Sequence, residues 1–341
     1  MSYSLHQASP FIKACESNND SHIPVWFMRQ AGRYQPEYKV IRQKYSLIEI
    51  CKHPEICAQV TTLPITQLGV DAAILFSDIT LPLEPMGIDF EIKEGIGPVI
   101  YTPILGKAEV DKLKPVNAPE GLPYVGETIR MLSESLSVPL IGFVGAPFTL
   151  ASYMIEGGPS KNYYKTKAMM YNDPETWHQL MRYLAVEMGQ YLSFQIQNGC
   201  AAVQVFDSWV GSLSLSDYRE FIYPHMATLF MQLSEHDVPK IHFGVNTNHL
   251  LAEMYTCGAT VVGLDWKTEI NRAKAVIPNV ATQGNIDPAL LLAPWTIIKQ
   301  NIDKLVTEVD RTRFIFNLGH GVMPQASIET LRKITDYVHS L

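Results

Sequence analysis

The sequence lacks the features that identify membrane, secreted and nucleic-acid-binding proteins. No apolar stretch of about eighteen residues occurs in the chain, so we expect no membrane-spanning helix. The first residues, Met1–His6, have neither the basic region nor the apolar core of a signal peptide. The net charge is −7 and Lys and Arg form no run, which argues against a nucleic-acid partner. We therefore expect a cytoplasmic protein that acts on a small molecule.

Cysteine is scarce, and the sequence has no cofactor motif. The cysteines form no CxxC pair and are odd in number, which favours reduced thiols over a disulfide framework. Cys51 and Cys57 are spaced closely enough to share a metal, but buried thiols are the better interpretation. A phosphate loop of the form G-x-x-x-x-G-K-[ST] is also missing. We expect neither a metal site nor a cofactor.

Short apolar runs recur through a chain that is 47% hydrophobic. They are nearly continuous in hydrophobicity, which is typical of parallel strands buried on both faces. Because they alternate with segments of helical periodicity, they predict an α/β fold, a single (β/α)8 TIM barrel. A doubly wound open sheet is the alternative, but no G-x-G-x-x-G follows the first run. The runs are Val25–Met28, Ala72–Phe76, Leu140–Gly145, Ala201–Phe206, Lys240–Gly244, Val261–Trp266, Asn279–Asn285 and Phe314–Gly319.

Helix signals and one hairpin complete the predicted organisation. Residues 175–197 carry a single apolar stripe, and Asp173 with Pro174 predicts where that helix begins. Asp287-Pro288 repeats the same signal after the seventh run. Residues 88–101 predict a hairpin inserted before the third strand. No linker rich in Gly, Pro or Ser interrupts the chain, so we expect residues 1–341 to form one domain.

Active sites of such barrels lie in a cleft at the carboxyl ends of the strands, which directs attention to the polar residues there. Arg29 and Arg33 follow the first run four residues apart, and on a helical turn they share one face. Two guanidinium groups in one mouth suit two carboxylates or phosphates, and Arg42 adds a third cation nearby. Surface salt bridges are the alternative interpretation.

Other strand ends supply an acid, hydroxyl groups and a histidine. Asp78 follows the second run and either pairs with an arginine or faces a ligand. Tyr153 and Ser208, each taken singly, are more consistent with hydrogen-bonded core hydroxyls than with ligand contacts. His320 lies between two glycines that allow close backbone approach to a ligand. Together with the apolar side chains Ile79, Phe148, Phe206 and Trp209, this set suits a large, flat polyanion with N–H donors or a cation at its centre.

Two long motifs resemble those of the uroporphyrinogen decarboxylase family. Residues Pro24–Tyr38 (PVWFMRQAGRYQPEY) are similar to its N-terminal signature, and Gly142–Gly157 (GFVGAPFTLASYMIEG) is similar to its second signature. Shorter similarities extend the resemblance from about residue 11 to the C-terminus. They are Leu75–Ile79, Asp207–Gly211, Gly263–Trp266, Gln283–Pro288 and Asn317–Gly321. Pro324–Ser327 (PQAS) departs from the more usual Pro-Glu-Thr-Pro of the family.

The resemblance implies a role for each candidate residue. Arginines bind the substrate carboxylates, and Asp78 accepts hydrogen bonds from the pyrrole N–H groups. Asp78, Arg29 and Tyr153 are the expected catalytic residues. The expected substrate-binding set is Arg29, Gln30, Ala31, Gly32, Arg33, Arg42, Asp78, Tyr153, Phe206, Ser208 and His320.

The resemblance also implies an activity and an assembly. We expect a cofactor-free, cytoplasmic homodimer that converts uroporphyrinogen III to coproporphyrinogen III with loss of four carbon dioxides. One rival is a corrinoid-dependent methyltransferase of the same superfamily, which uses a His-x-Cys zinc pair. Here the corresponding residues are His242-Phe-Gly244, without the thiolate ligand of that zinc pair. A second rival is a non-catalytic tetrapyrrole-binding protein, which the same arginines and aromatics suit.

Overall fold

The computed structural model describes residues 6–341 of the chain. Its strands are β1 (Ala73–Ile74), β2 (Phe90–Lys93), β3 (Gly97–Ile100), β4 (Leu140–Gly145), β5 (Ala202–Asp207), β6 (Lys240–Gly244), β7 (Val261–Gly263), β8 (Ala281–Ile286) and β9 (Phe314–Leu318). The helices are α1 (Pro10–Cys15), α2 (Pro36–Arg42), α3 (Leu47–Lys52), α4 (Pro54–Leu68), α5 (Lys107–Val110), α6 (Ala118–Gly121), α7 (Pro123–Ser135), α8 (Pro147–Glu156), α9 (Tyr164–Asn172), α10 (Pro174–Asn198), α11 (Leu215–Phe221), α12 (Tyr223–Met231), α13 (Leu251–Thr256), α14 (Ile270–Val276), α15 (Trp295–Glu308) and α16 (Ile328–His339). Across the described chain, none of these helices is both long and apolar enough to cross a membrane.

One parallel sheet organises the structure. Its strand order is β1-β4-β5-β6-β7-β8-β9, so strands follow one another in space as they do along the chain. Helices connect the parallel strands, as parallel pairing requires. The strands β2 and β3 form a separate antiparallel hairpin in the connection between β1 and β4, where the sequence predicts one. The predicted α/β class is confirmed.

The segment around Val25 connects the two edges of this curled sheet. Val25 forms a parallel bridge with Phe316 of β9, and the Phe316 N–H donates to the Pro24 carbonyl at 2.8 Å. On its other side, the Val25 carbonyl accepts from the Asp71 N–H at 2.8 Å, just before β1. The sheet is thereby closed into a barrel-like ring.

The prediction of eight regular strands is wrong in one place, because the first run forms this bridge and not a strand. The Phe27 N–H donates to the Gln30 side chain at 3.1 Å, and the Met28 N–H donates to the Asn317 side chain at 3.0 Å. Side-chain oxygens therefore take the backbone donors that a ladder would use. The sequence run is apolar enough for a strand but does not reveal that competition.

Helix starts agree with the sequence signals, with one difference in helix type. Asp173 accepts from the Thr176 N–H at 3.2 Å and begins α10. Asp287 caps the Ala289 N–H at 2.9 Å in the same manner. The element that follows is a short 3-10 helix, Pro288–Leu292, and the regular helix α15 begins only at Trp295. A cap signal marks a helix start but does not fix its length.

Gln195 of α10 takes the place of a missing strand beside β4. The pairing of β1 with β4 ends at Ile141, so the Phe143 backbone groups on that side have no strand partner. The Gln195 side chain accepts from the Phe143 N–H at 2.8 Å and donates to its carbonyl at 3.0 Å. Gly142 makes room for it, since a Cβ there would lie 2.4 Å from the Gln195 Oε1. The whole arrangement is buried.

We predict that Gln195→Leu destabilises the protein by about 2–5 kcal/mol, because two buried backbone groups lose their partners. Urea denaturation measures the change in the free energy of unfolding. Gln197→Leu, at an exposed position of the same helix, is the matched control and should change it by about 0.5 kcal/mol or less. Equal effects of the two substitutions would contradict the role assigned to Gln195.

Candidate active site

The loop that follows the Val25 bridge is held from within by Gln30. Its buried side chain accepts from the Phe27 N–H and donates to the Ala72 carbonyl at 3.1 Å. Its own carbonyl accepts from the Tyr34 hydroxyl. The Gln30 side chain therefore fixes the loop, and only its backbone is left to line a ligand site.

Arg29 lies at the tip of this loop beside the segment that follows β9. Its φ of 58° is left-handed, an uncommon conformation for a residue other than glycine. A Cβ at Gly321 would lie 2.5 Å from the Arg29 Cδ, so any larger residue there would displace the Arg29 side chain from this position. The Arg29 side chain thus extends across the Gly319–Gly321 loop and reaches the neighbourhood of His320.

The expectation that Arg29 and Arg33 share a helical face is wrong. Residues 28–35 form turns, and α2 begins only at Pro36. The Gly32 N–H donates to the Gln35 side chain at 2.9 Å, which closes a local turn around Arg33. Four-residue spacing places side chains on one face only within a helix. The two arginines are positioned by loop geometry.

Arg33 and Arg42 lie around a buried tyrosine, Tyr38. Burial raises the pKa of Tyr38, and the charges of Arg42 and Arg33 oppose the rise. Arg42 also donates to the Tyr45 carbonyl at 2.6 Å. The Tyr38 ring packs against Phe76 with ring centroids 5.5 Å apart. This second group of cations is therefore adjacent to the segment that leads to Asp78.

Asp78 is fixed through one of its two carboxylate oxygens. Asp78 Oδ1 accepts from the Thr80 N–H at 2.9 Å and from the Thr80 hydroxyl at 2.6 Å. Within residues 6–341 the other oxygen has no hydrogen-bond partner, and the half-buried carboxylate forms no ion pair. A fixed carboxylate with one unused oxygen is suited to accept N–H donors from a ligand.

Tyr153 of α8 lies near both Asp78 and Arg29. Burial raises the pKa of Tyr153 above its usual range, the Asp78 charge adds to the rise, and the Arg29 charge opposes it. The phenol is therefore protonated at neutral pH and available as a donor. Its ring packs against Trp209 with ring centroids 4.1 Å apart. The ring of Tyr163 also packs against Trp209, with ring centroids 5.2 Å apart.

The end of β5 contributes Phe206 and Ser208. Phe206 is half-buried, with its ring edge-on to Phe143 at 5.4 Å and to Phe243 at 6.1 Å. Ser208 follows at the end of the strand and is also half-buried. Ala31, by contrast, packs its side chain against the small apolar cluster that contains Tyr38.

His320 is a neutral imidazole beside a cation. Burial and the Arg29 charge together lower the pKa of His320 to about 4, and the Asp265 charge opposes the fall. Its ring lies edge-on to Trp266 with centroids 6.2 Å apart. At neutral pH the ring therefore offers one donor and one acceptor but no charge.

The cations of the site are free to bind an anion. In the part of the chain that the structure describes, neither Arg29 nor Arg33 takes part in an ion pair, although several other basic residues do. Both arginines are exposed. The alternative interpretation as surface salt bridges is therefore wrong for these two residues. An unpaired guanidinium is a ready bidentate donor to a carboxylate.

A buried polar cluster lies below the β5 end of the site. Asp207 accepts from the Thr149 hydroxyl at 3.2 Å, and its other oxygen lies 3.5 Å from His242 Nε2. Burial opposes protonation of His242, but Asp207 and the neighbouring Cys257 outweigh it and raise the pKa of His242 to about 10. Both side chains are fully buried. The pair connects His242 of β6 with the last residue of β5, the strand that carries Phe206.

The sequence interpretation missed the residues that hold the site together. Thr80 fixes Asp78, and Asn317 orients the backbone before Arg29. The Asp265 charge opposes the fall in the pKa of His320, and the Asp265 carboxylate accepts from the Asn246 N–H at 2.6 Å. A signal exists for Asn317, because an amide interrupts the otherwise apolar residues of β9. Its buried Nδ2 has no partner within residues 6–341.

We predict that His320→Gln makes the protein less sensitive to acid. Because the pKa of His320 falls to about 4 on folding, the unfolded chain binds a proton that the folded protein does not. Stability should therefore fall as pH drops from about 6.5 towards 4, and by about 2 kcal/mol between pH 7 and pH 5 for this group alone. Urea unfolding of both proteins over this range measures the difference. Parallel curves would contradict the prediction.

The chain is similar in sequence to a well-defined family. The family model described as Uroporphyrinogen decarboxylase (URO-D) matches residues 6–341. Proteins named uroporphyrinogen decarboxylase from Bacillus pumilus and Staphylococcus aureus are each 51% identical to this chain. Those alignments cover 96% of this chain, and 94% and 96% of the two relatives.

Solved structures with the same fold are more distant. A methyltransferase from Methanosarcina mazei superposes with a TM-score of 0.79 at 17% identity and covers 97% of both chains. A B12-independent methionine synthase from Shewanella superposes with a TM-score of 0.58 at 11% identity, over 94% of this chain and 96% of that one. At such identities these structures show a shared fold alone. The sequence matches decide the family: this chain belongs to the uroporphyrinogen decarboxylase family.

Proposed function

We propose that this protein removes carbon dioxide from the four acetate side chains of uroporphyrinogen III and produces coproporphyrinogen III. One observation carries the proposal: Arg29 forms no ion pair and Asp78 has an unused oxygen within residues 6–341, and both lie close enough to Tyr153 to affect its pKa. A ligand that fits this group carries negative arms and a centre of N–H donors. Uroporphyrinogen has both, and the names of the 51% identical relatives agree with it.

Each candidate residue has a proposed part in binding this substrate. Arg29, Arg33 and Arg42 bind carboxylate arms through charge-assisted hydrogen bonds. The backbone of Gln30, Ala31 and Gly32 borders the same arms. Tyr153, Ser208 and His320 donate neutral hydrogen bonds to acidic side chains, and Phe206 packs against the macrocycle.

The chemistry that we propose uses the pyrrole as its own electron sink. Protonation of a ring carbon gives an iminium, and the bond to the acetate carboxylate then breaks with its electron pair moving into the ring. Carbon dioxide leaves, a second proton completes the methyl group, and the ring proton is released. Each cycle thus consumes one proton in total. Asp78 stabilises the positive charge on the ring nitrogens, because a fixed carboxylate needs no reorganisation as that charge develops.

Tyr153 is the proposed proton donor, and Arg29 is proposed to position the reacting carboxylate. The raised pKa of Tyr153 keeps its phenol protonated, so it can donate to the substrate and be reprotonated from solvent. Arg29 holds the reacting carboxylate in place until its bond breaks.

Assembly and location form part of the same proposal. We infer that residues 1–341 act as one domain, that the protein is a homodimer, and that it works in the cytoplasm. The basis is the family resemblance. Sedimentation velocity measures the assembly directly.

The methyltransferase alternative is less well supported by the buried residues near His242. A thiol does lie close, with Cys257 Sγ 3.6 Å from His242 Nδ1. However, Asp207 faces the other ring nitrogen, so the thiol and the carboxylate cannot join His242 around one ion. The zinc–thiolate arrangement that this alternative requires therefore has no support here.

A product assay distinguishes an enzyme from a protein that only binds the tetrapyrrole. Purified protein incubated anaerobically with uroporphyrinogen III should release four carbon dioxides per substrate and yield coproporphyrinogen III, without added metal or cofactor. Chromatography of the oxidised porphyrins measures the products. Tight binding without carbon dioxide release would identify a non-catalytic tetrapyrrole-binding protein.

A further prediction tests the charge of Asp78. Asp78→Asn keeps the shape and one acceptor oxygen but removes the charge, so kcat should fall by about 100-fold or more while substrate affinity changes by less than about tenfold. Fluorescence titration and product assays measure the two quantities. Asp89→Asn, at an exposed position, is the matched control and should behave as the unmodified protein does. Near-normal turnover of Asp78→Asn would refute the electrostatic role.

A further inference from the structure

Two histidines and one aspartate converge at the amino-terminal ends of the strands. His22 precedes the bridging residue Val25, Asp71 precedes β1, and His339 is the last residue of α16. His22 Nε2 lies 2.9 Å from Asp71 Oδ1, and His339 Nε2 lies 2.7 Å from Asp71 Oδ2. Because the strands are parallel, this group is at the opposite end of the barrel from the candidate active site.

We propose that His22, Asp71 and His339 bind a divalent transition-metal ion, with Zn²⁺ as the ion that tests it. Imidazole nitrogen and carboxylate oxygen are zinc ligands, and bonds of about 2.0–2.2 Å place ligand atoms about 3.3 Å apart. The three ligand atoms here lie within 4.8 Å of one another. Small side-chain rotations are therefore enough to form the site.

The groups around the ligands already orient them. His22 Nδ1 lies 3.3 Å from the Ser21 hydroxyl, and Asp71 Oδ2 accepts from the Val25 N–H at 2.7 Å. Contacts of this kind to the outer atoms of ligands fix ring and carboxylate orientation in metal sites. The site is also open to solvent, since the side chains of His22 and His339 are 30% and 27% exposed. An ion can enter, and a water can complete its coordination.

The charge balance of the group favours a dication. The two imidazole rings are only 4.3 Å apart and share one carboxylate. One carboxylate neutralises one positive ring but not two, whereas a dication is coordinated by two neutral rings and a carboxylate together. An ion coordinated in this way joins the segment before the Val25 bridge, the residue before β1 and the end of the last helix. Its consequence is greater stability of the barrel closure.

The test measures zinc binding to the folded full-length chain after removal of metal by EDTA and dialysis. Isothermal titration with ZnCl₂ should show one ion per chain, and elemental analysis should confirm that ratio. At a zinc concentration about 100 times Kd, Tm should rise by about 4 °C. Decarboxylation should be unchanged, because no ligand belongs to the candidate active site.

Substitutions of the ligands locate the bound ion. His22→Gln, His339→Gln and Asp71→Asn should each weaken zinc binding at least tenfold and reduce the rise in Tm to about 2 °C or less, with circular dichroism confirming that each variant is folded. His178→Gln is the matched control: His178 Nδ1 lies 2.9 Å from His225 Nε2, but no carboxylate completes a three-ligand group with that pair in residues 6–341. Absence of zinc binding to the unmodified protein, or binding by the His22→Gln and His339→Gln variants as tight as that of the unmodified protein, would overturn the proposal.

Discussion

Closure of the barrel through Val25 is the constraint on which both ends of the molecule depend. Pro24 and Trp26 hydrogen-bond to Phe316 on one side, and Val25 between them hydrogen-bonds to Asp71 on the other, so this segment joins the edge strands of the sheet. A parallel sheet has no hairpin to close it, so the two edges need a segment between them. The residues that follow the bridge then carry Arg29 to the β9 loop, and those that precede it carry His22 to Asp71.

Side-chain amides complete the parts of this barrel where strands are short. Gln30 and Asn317 take the backbone donors after the bridge, and Gln195 serves Phe143 beyond the end of β1. A buried backbone group without a partner costs about 1–3 kcal/mol, so each amide has a structural effect larger than its own hydrogen bond. The result is a rigid frame around irregular loops. Rigid support is what a site made of loop residues needs if its geometry is to be kept.

The site itself contains charges that the rest of the protein leaves free. Thr80 holds one oxygen of Asp78, but within the described chain no cation neutralises the carboxylate. Arg29 lies against Gly321 and beside a neutral His320, and it forms no ion pair with any other described residue. Unpaired charges contribute little to stability and are costly when they are partly buried. A ligand of complementary charge is the physical reason for such an arrangement, and it is the basis of the decarboxylase proposal.

The sequence by itself determined the α/β class, most strand positions, the hairpin, the starts of the main helices and the family. These features depend on local composition and on residue order, which the chain carries whether or not it is folded. Only the tertiary structure decided that Arg29 and Arg33 lie in turns, that Val25 forms a bridge and not a strand, and that His22 and His339 meet at Asp71. Those outcomes depend on contacts between residues up to about three hundred positions apart, and no periodicity or spacing motif encodes such distances.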